Sequence, residues 1–188
     1  MDFRYLLVML MAGTSLSVLA EQTTSIHTGA FKHVQGRIAV NLAAGDQNVQ
    51  ANTHVIGGSV TLLSLQQNLF SEVPSDDYET NNISVIDSQA FFSAHGLIGI
   101  NQVSGHGNSQ ANLGTIELAT INGQGLSDRA LTQVSSSSSP LVVGQSSNFT
   151  DIALDSFSDV QGIVQINQIS GDGNTAINRF SLQLSSGN

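Results

Sequence analysis

One segment of this chain occurs three times, with no insertion or deletion inside any copy. The copies cover residues 26–56, 86–116 and 152–182, and the segments between them are residues 57–85 and 117–151. A unit this short cannot bury its own apolar face, so the copies must stack on one another or on copies from another chain. The repeat therefore predicts one stacked-repeat domain over residues 21–188, in which the two intervening segments are linkers.

Within each copy the side chains alternate with a period of two, which is typical of a β-strand rather than of a helix. In the second copy Ile98 and Ile100 share one face, while Asn101 and Val103 share the other. Both faces carry residues that pack, as expected of a strand that is covered on each side. We expect each copy to form a strand, a bend, a second strand, an arc and a third strand, with the first strand near residues 86–91 of the second copy. The predicted fold class is all-β, with three stacked strand-arc-strand repeats that form a β-solenoid or a cross-β, amyloid-type core.

Several residues recur at equivalent places in the three copies. If the copies stack in register about 4.8 Å apart, each triplet becomes a column of identical side chains, and each amide can donate to one neighbour and accept from the other. The predicted ladder residues for self-assembly are Asn41, Asn101, Asn167, Asn48, Asn108, Asn174, Asn52, Asn112, Asn178, Phe31, Phe91 and Phe157.

The arc between the second and third strands is expected at a glycine-rich segment. Glycine tolerates positive φ, so the predicted turn residues are Gly45, Gly105 and Gly171. The asparagines Asn48, Asn108 and Asn174 follow these glycines, and turn duty is an alternative to ladder duty for them. Stacking also places Asp46, His106 and Asp172 in one column, with the histidine between two aspartates.

The first twenty residues have the features of a signal peptide. Arg4 supplies a positive charge, an apolar run begins at Leu6, and a small-residue cleavage pattern ends at Ala20. The apolar run is too short for a spanning helix. We therefore expect cleavage after Ala20, export through the periplasm, and a location outside the cell or at its surface.

Composition excludes several classes of function. The chain has a net charge of −9, with only 5 Lys and Arg residues, so no basic stripe is available for nucleic acid. The basic residues after the signal peptide are Lys32, Arg37, Arg129 and Arg179, and none lies in the dense acidic cluster that cleavage of a polysaccharide requires. We expect no catalytic activity.

No cofactor or metal is expected either. The five histidines, His27, His33, His54, His95 and His106, have no metal-ligand spacing and are interpreted as surface residues. The segment Gly171-Asp172-Gly173-Asn174 matches a calcium-binding β-roll only in part, because that motif recurs in tandem about every nine residues. The chain also has no cysteine, so its stability must come from backbone pairing and side-chain stacking.

Residues 38–52, which contain the core Val40-Asn41-Leu42-Ala43-Ala44-Gly45-Asp46, and residues 100–112 resemble the repeats of Fap-type bacterial functional amyloids. The signal peptide, the three repeats and the two linkers agree with that resemblance. It implies a protein that leaves the cell through outer-membrane export machinery and builds extracellular fibrils in biofilms, with itself and other fibre subunits as partners. Curli subunits share Gln-, Asn- and Gly-rich repeats, but theirs are shorter and contiguous.

The sequence thus predicts a secreted structural subunit that polymerises by in-register stacking into functional-amyloid fibrils for the biofilm matrix and for surface adhesion. A monomeric secreted β-solenoid adhesin is one alternative, and a minor or nucleating fibre component is another. Lys32, Arg37 and Arg179 are candidates for the charges that would block the edges of a monomeric adhesin. The fibre subunits of the family carry a C-terminal Cys-x-x-Cys that this sequence lacks, so the kind of subunit stays open.

Overall fold

A computed structural model of the protein describes residues 20–57, 80–117 and 147–184, and each of these ranges forms one layer of three strands, here called a rung. The first rung contains β1 (Ala20–Ile26), β2 (Gln35–Ala44) and β3 (Val49–Gly57). The second contains β4 (Thr80–Ile86), β5 (His95–Ser104) and β6 (Ser109–Glu117). The third contains β7 (Ser147–Ile152), β8 (Gln161–Ser170) and β9 (Thr175–Gln183).

The rungs stack so that each strand pairs with its equivalents and not with strands of its own rung. The result is three parallel sheets, in the orders β1-β4-β7, β2-β5-β8 and β3-β6-β9. The register has no offset, and Asn41 pairs with Asn101, which pairs with Asn167. The described residues contain no helix. The predicted all-β fold of stacked repeats, similar to a β-solenoid, is confirmed.

The sheet β2-β5-β8 lies between the other two. On one side Gln102 Nε2 donates to the Thr24 carbonyl at 3.0 Å, and on the other Asn112 Nδ2 donates to the Ile100 carbonyl at 3.0 Å. The apolar core fills the space between the first two sheets and the turn that joins them. Its buried members are Ile26, Ile38, Ile86, Ala90, Phe91, Ala94, Ile98 and Ile100.

The upstream strand of each rung begins earlier than the sequence suggested. The expected strand at residues 86–91 is wrong, because residues 88–93 form turns and the strand of that rung is β4, which ends at Ile86. Gln89 and Ser93 have φ values of 55° and 53°, which an extended strand does not allow. These turns carry Phe91 into the core. Except for their last residues, Ile86 and Ile152, β4 and β7 therefore lie in segments that we interpreted as linkers.

The rest of those segments, residues 58–79 and 118–146, lies outside the described residues, as do residues 1–19 of the predicted signal peptide. Ala20, the predicted cleavage position, is the first residue of β1. Across the three described ranges, the structure holds no helix with the length and apolar character that a membrane crossing needs.

Candidate self-assembly surface

One column of asparagines runs through the central sheet. Asn101 Nδ2 donates to Asn41 Oδ1 at 2.9 Å, and Asn167 Nδ2 donates to Asn101 Oδ1 at 2.9 Å. Asn101 is fully buried, and asparagine has a poor intrinsic preference for strands. The hydrogen bonds of the column compensate for this poor preference, because a carboxamide can donate and accept at the same time. Each rung therefore supplies a hydrogen-bond partner to the asparagine of the next rung.

A second column lies opposite the first, in the sheet β3-β6-β9. Asn112 Nδ2 donates to Asn52 Oδ1 at 2.9 Å, and Asn178 Nδ2 donates to Asn112 Oδ1 at 3.0 Å. The two columns also bond to each other inside a rung, since Asn178 Nδ2 lies 3.0 Å from Asn167 Oδ1. The network fixes the register between rungs and the position of one sheet against its neighbour.

The third set of asparagines serves the arc and the stack together. Asn108 Nδ2 donates to Asn48 Oδ1 at 3.1 Å, and Asn174 Nδ2 donates to Asn108 Oδ1 at 3.2 Å. The same amides donate to the arc backbone: Asn48 Nδ2 lies 2.7 Å from the Gly105 carbonyl, and Asn108 Nδ2 lies 2.8 Å from the Gly171 carbonyl. These asparagines thus contact both the neighbouring rung and the arc backbone.

The arc glycines have positive φ, and two of them, Gly45 and Gly105, have no room for a side chain. The φ values are 96°, 130° and 120° for Gly45, Gly105 and Gly171. A Cβ atom on Gly105 would lie 2.1 Å from the Gly171 carbonyl oxygen, which is closer than van der Waals contact allows. The arcs therefore stack closely only because glycine occupies this column.

Beside the glycines, the arc carries the charged column Asp46, His106 and Asp172. The Asp46 amide N–H donates to His106 Nδ1 at 3.0 Å, and the His106 amide N–H donates to Asp172 Oδ1 at 2.7 Å. The histidine ring lies 4.0 Å from the Asp46 carboxylate. Within one molecule the imidazole thus separates two acidic side chains.

Phenylalanines form an aromatic column at the turn. The ring centroids of Phe31 and Phe91 are 4.9 Å apart with planes inclined by 10°, and those of Phe91 and Phe157 are 4.9 Å apart and inclined by 6°. Phe91 is fully buried between its two neighbours. Rings at this separation gain stacking energy beyond their burial, so the turn is held by contacts between rungs.

The amide columns have a direction. In both strand columns, the amide nitrogen of the later rung donates to the amide oxygen of the earlier rung. Asn41 therefore turns its oxygen toward the second rung and its nitrogen toward the open side of the first. Asn167 turns its nitrogen toward the second rung and its oxygen toward the open side of the third. One end of the stack presents donors and the other presents acceptors.

One contact passes through the middle rung, and sequence reasoning missed it. His54 Nε2 of the first rung lies 2.8 Å from Gln165 Oε1 of the third, and the ring centroids of His54 and Phe180 are 6.0 Å apart. A Cβ on Gly114 of the second rung would lie 2.2 Å from the Phe180 ring. A Cβ on Gly99 would lie 3.1 Å from the His54 ring. The two glycines leave the hole through which the outer rungs touch.

His54 is half-buried rather than the surface residue that the sequence suggested. Desolvation lowers its pKa, the hydrogen bond to Gln165 raises it, and the positive charge of Arg37 lowers it. Nδ1 of the ring is buried without a hydrogen-bond partner among the described residues. Protonation at Nδ1 would bury a donor that has no acceptor, so the neutral ring is the form that fits.

The other described histidines are dispersed over the rungs. His27 Nδ1 lies 3.3 Å from Asp87 Oδ2, and His33 packs edge-on against Phe92 with centroids 5.7 Å apart. In the part of the chain that the structure describes, no three or more His, Asp or Glu side chains converge as metal ligands would.

In-register parallel strands, ladders of identical amides and aromatic rings, and an open stack define an amyloid-type, cross-β protein. The family model described as "functional amyloid protein FapB/FapC family" matches residues 11–185. The chain belongs to this family, and the resemblance stated from the sequence is confirmed. No solved structure matches the chain.

Proposed function

We propose that the protein is a secreted structural subunit that polymerises into extracellular functional-amyloid fibrils, which serve the biofilm matrix and surface adhesion. Membership of a functional amyloid family supports the class. Secretion follows from the predicted signal peptide, and other fibre subunits and an outer-membrane exporter are the further partners.

The observation that carries polymerisation is that, among the described residues, no further strand pairs with either end of the stack of rungs. β1, β2 and β3 form one end and β7, β8 and β9 form the other, and each is the edge strand of its sheet. An edge strand presents unpaired N–H and C=O groups that pair readily with another chain. Apolar side chains also lie open there, since Ile152 of the third rung is 39% exposed whereas its equivalent Ile86 is 0% exposed.

Head-to-tail order is the order that continues the ladders. Asn167 Oδ1 already accepts from Asn178 Nδ2 at 3.0 Å and has a second lone pair to offer. Third-on-first stacking sets this oxygen of one copy against the Asn41 amide nitrogen of the next. First-on-first stacking would set amide donors against donors. A head-to-tail contact uses two different surfaces and does not close, so it generates an open filament.

One observation favours the monomeric adhesin as a second candidate. Two cations lie in the first rung, where they would meet an incoming copy. Arg37 Nη2 donates to the Asn52 carbonyl at 2.8 Å, and Lys32 Nζ lies 5.0 Å from the Phe92 ring centroid. Charged residues at a sheet edge commonly prevent pairing, although both of these side chains fold back onto their own molecule.

The test is incubation of residues 21–188, followed by electron microscopy, thioflavin fluorescence and X-ray fibre diffraction. We expect filaments with a reflection at about 4.7–4.8 Å. Gly105→Ala is the control, because its Cβ would lie 2.1 Å from the Gly171 carbonyl oxygen and so prevent this stacking. Filaments should be absent from the variant. A parent chain that stays monomeric in sedimentation runs would instead favour the adhesin.

A further inference from the structure

We infer that the docking surface between two copies contains a like-charge pair, Asp172 of one copy and Asp46 of the next, which slows addition of each subunit. This inference rests on the proposed head-to-tail stacking and specifies its electrostatics. The partner is a second copy of this chain, and the surfaces are the arc corners of the third and first rungs.

The arc backbone already repeats from rung to rung. The Gly107 amide N–H donates to the Asp46 carbonyl at 3.0 Å, and the Gly173 amide N–H donates to the His106 carbonyl at 2.9 Å. A copy that continues this pairing presents its Gln47 amide to the Asp172 carbonyl of the copy before it. The Asp46 and Asp172 side chains then lie one rung apart, about 4.8 Å.

Inside the molecule His106 separates these two carboxylates, but at the joint they are adjacent. The Asp46 side chain is 89% exposed, and Asp172 is exposed as well. The polar contacts that reach the arc from the first sheet come from amides, with Gln22 beside the His106 ring and Asn148 beside Gly171. No cation among these contacts offsets the meeting of the two carboxylates.

At the same joint, the turns between the first and second strands of the two rungs carry opposite charges. This attraction favours head-to-tail order. Asp155 and Asp159 lie on the turn of the third rung, whereas Lys32 and His33 lie on the turn of the first. His33 and Asp159 occupy the same column position, with φ values of 60° and 58°. Third-on-first stacking brings acids to bases here, and third-on-third stacking would bring acids to acids.

Two substitutions distinguish the effect of the Asp46–Asp172 pair from the effect of the net charge of the protein. Asp172→Asn removes one charge and keeps an amide oxygen to accept from the His106 N–H, which the carboxylate accepts at 2.7 Å. Asp46→Lys places a cation on a side chain that is 89% exposed. The parent, the two single variants and the double variant form a complete cycle.

The experiment measures elongation of sheared parent seeds by each monomer at neutral pH and low salt, at equal monomer concentration. In the parent background, Asp172→Asn should speed elongation about fourfold, and Asp46→Lys should speed it about tenfold. In the Asp46→Lys background, Asp172→Asn should slow elongation about fourfold, because it removes an attraction. Added salt should speed the parent and slow the Asp46→Lys variant.

The reversal of sign distinguishes the pair from a general effect of net charge, which would give acceleration in both backgrounds. If Asp172→Asn changes the elongation rate in the same direction in both backgrounds, or does not change it in either, the two residues do not meet and the inference is wrong. Filament growth by the parent would leave the proposed function standing in that case. Failure of the parent to grow at all would overturn the proposed function itself.

Discussion

Asn112 and Asn101 lie on different strands of the same rung, and Asn112 Nδ2 donates to Asn101 Oδ1 at 3.1 Å. Each residue also bonds to its equivalent in the first rung, Asn52 for one and Asn41 for the other, at 2.9 Å. The two asparagine columns are therefore hydrogen-bonded to each other within a rung, and each column also connects successive rungs. Both middle-rung amides are fully buried, so a lost partner would leave a polar group without water or protein to bond.

This arrangement predicts that the same substitution has different effects in different rungs. In Asn101→Asp the donor to Asn41 and to the Ala51 carbonyl is lost, and a buried carboxylate replaces it. We expect this variant to lose about 3 kcal/mol or more of its free energy of unfolding. Urea titration of the monomer measures the loss.

Asn41→Asp should spare the monomer and impair the joint. Within the molecule Asn41 uses its oxygen, which accepts from Asn101 and from Asn52 at 2.9 Å, and a carboxylate can do the same. We expect a change in stability within about 1 kcal/mol. The lost nitrogen is the group that faces Asn167 of the next copy, so seeded elongation at neutral pH should fall about tenfold or more and recover in part near about pH 3. Unchanged elongation would show that the asparagines do not continue across the joint.

Gly114→Ala should destabilise the stack because the hole in the middle rung would close. The added Cβ would lie 2.2 Å from the Phe180 ring and 2.7 Å from the His54 ring. We expect a loss of about 1–3 kcal/mol in the free energy of unfolding, which is typical of overpacking. Gly57→Ala is the matched control, since a Cβ there meets nothing within 4 Å. Equal effects of the two substitutions would argue against the contact through the hole.

The register between rungs could be predicted from the sequence because three copies without insertions can be aligned in only one way. The asparagine columns could be predicted because asparagine is unfavourable in a strand unless its amide has hydrogen-bond partners. The turn at residues 88–93 could not be predicted from the sequence. Its bends use Gln89 and Ser93, which have positive φ without being glycine and carry no local signal in the sequence.

The contact of His54 with the third rung could not be predicted from the sequence, for a different reason. It depends on positions at which the copies differ, with Gly114 in the second rung between His54 and Phe180. A comparison that looks for identity among repeats discards such positions. Small residues in a middle repeat, opposite large residues in the outer repeats, are the pattern that could have indicated it.

Phe91→Ala should cost more stability than Phe31→Ala. Phe91 stacks on two rings, with centroids at 4.9 Å on each side, and is fully buried, whereas Phe31 stacks on one ring at the end of the column. We expect a loss of about 3–5 kcal/mol for the middle residue. Chemical denaturation of both monomers gives the comparison. Equal losses would mean that neither the second ring contact nor the fuller burial of Phe91 adds stability.

Acid should weaken the monomer through His54. Burial lowers the pKa of this histidine in the folded state, so the unfolded chain binds more protons as the pH falls. Stability must then rise with pH in that range, and it should decline as the pH is lowered from about 6.5, the ordinary value for histidine, toward the lowered pKa. His54→Gln removes the titrating group and keeps a donor for Gln165, which accepts from His54 at 2.8 Å. The difference in free energy of unfolding between parent and variant should shrink as the pH falls. A difference that stays constant from neutral pH to about pH 5 would show that His54 is not desolvated by the stack.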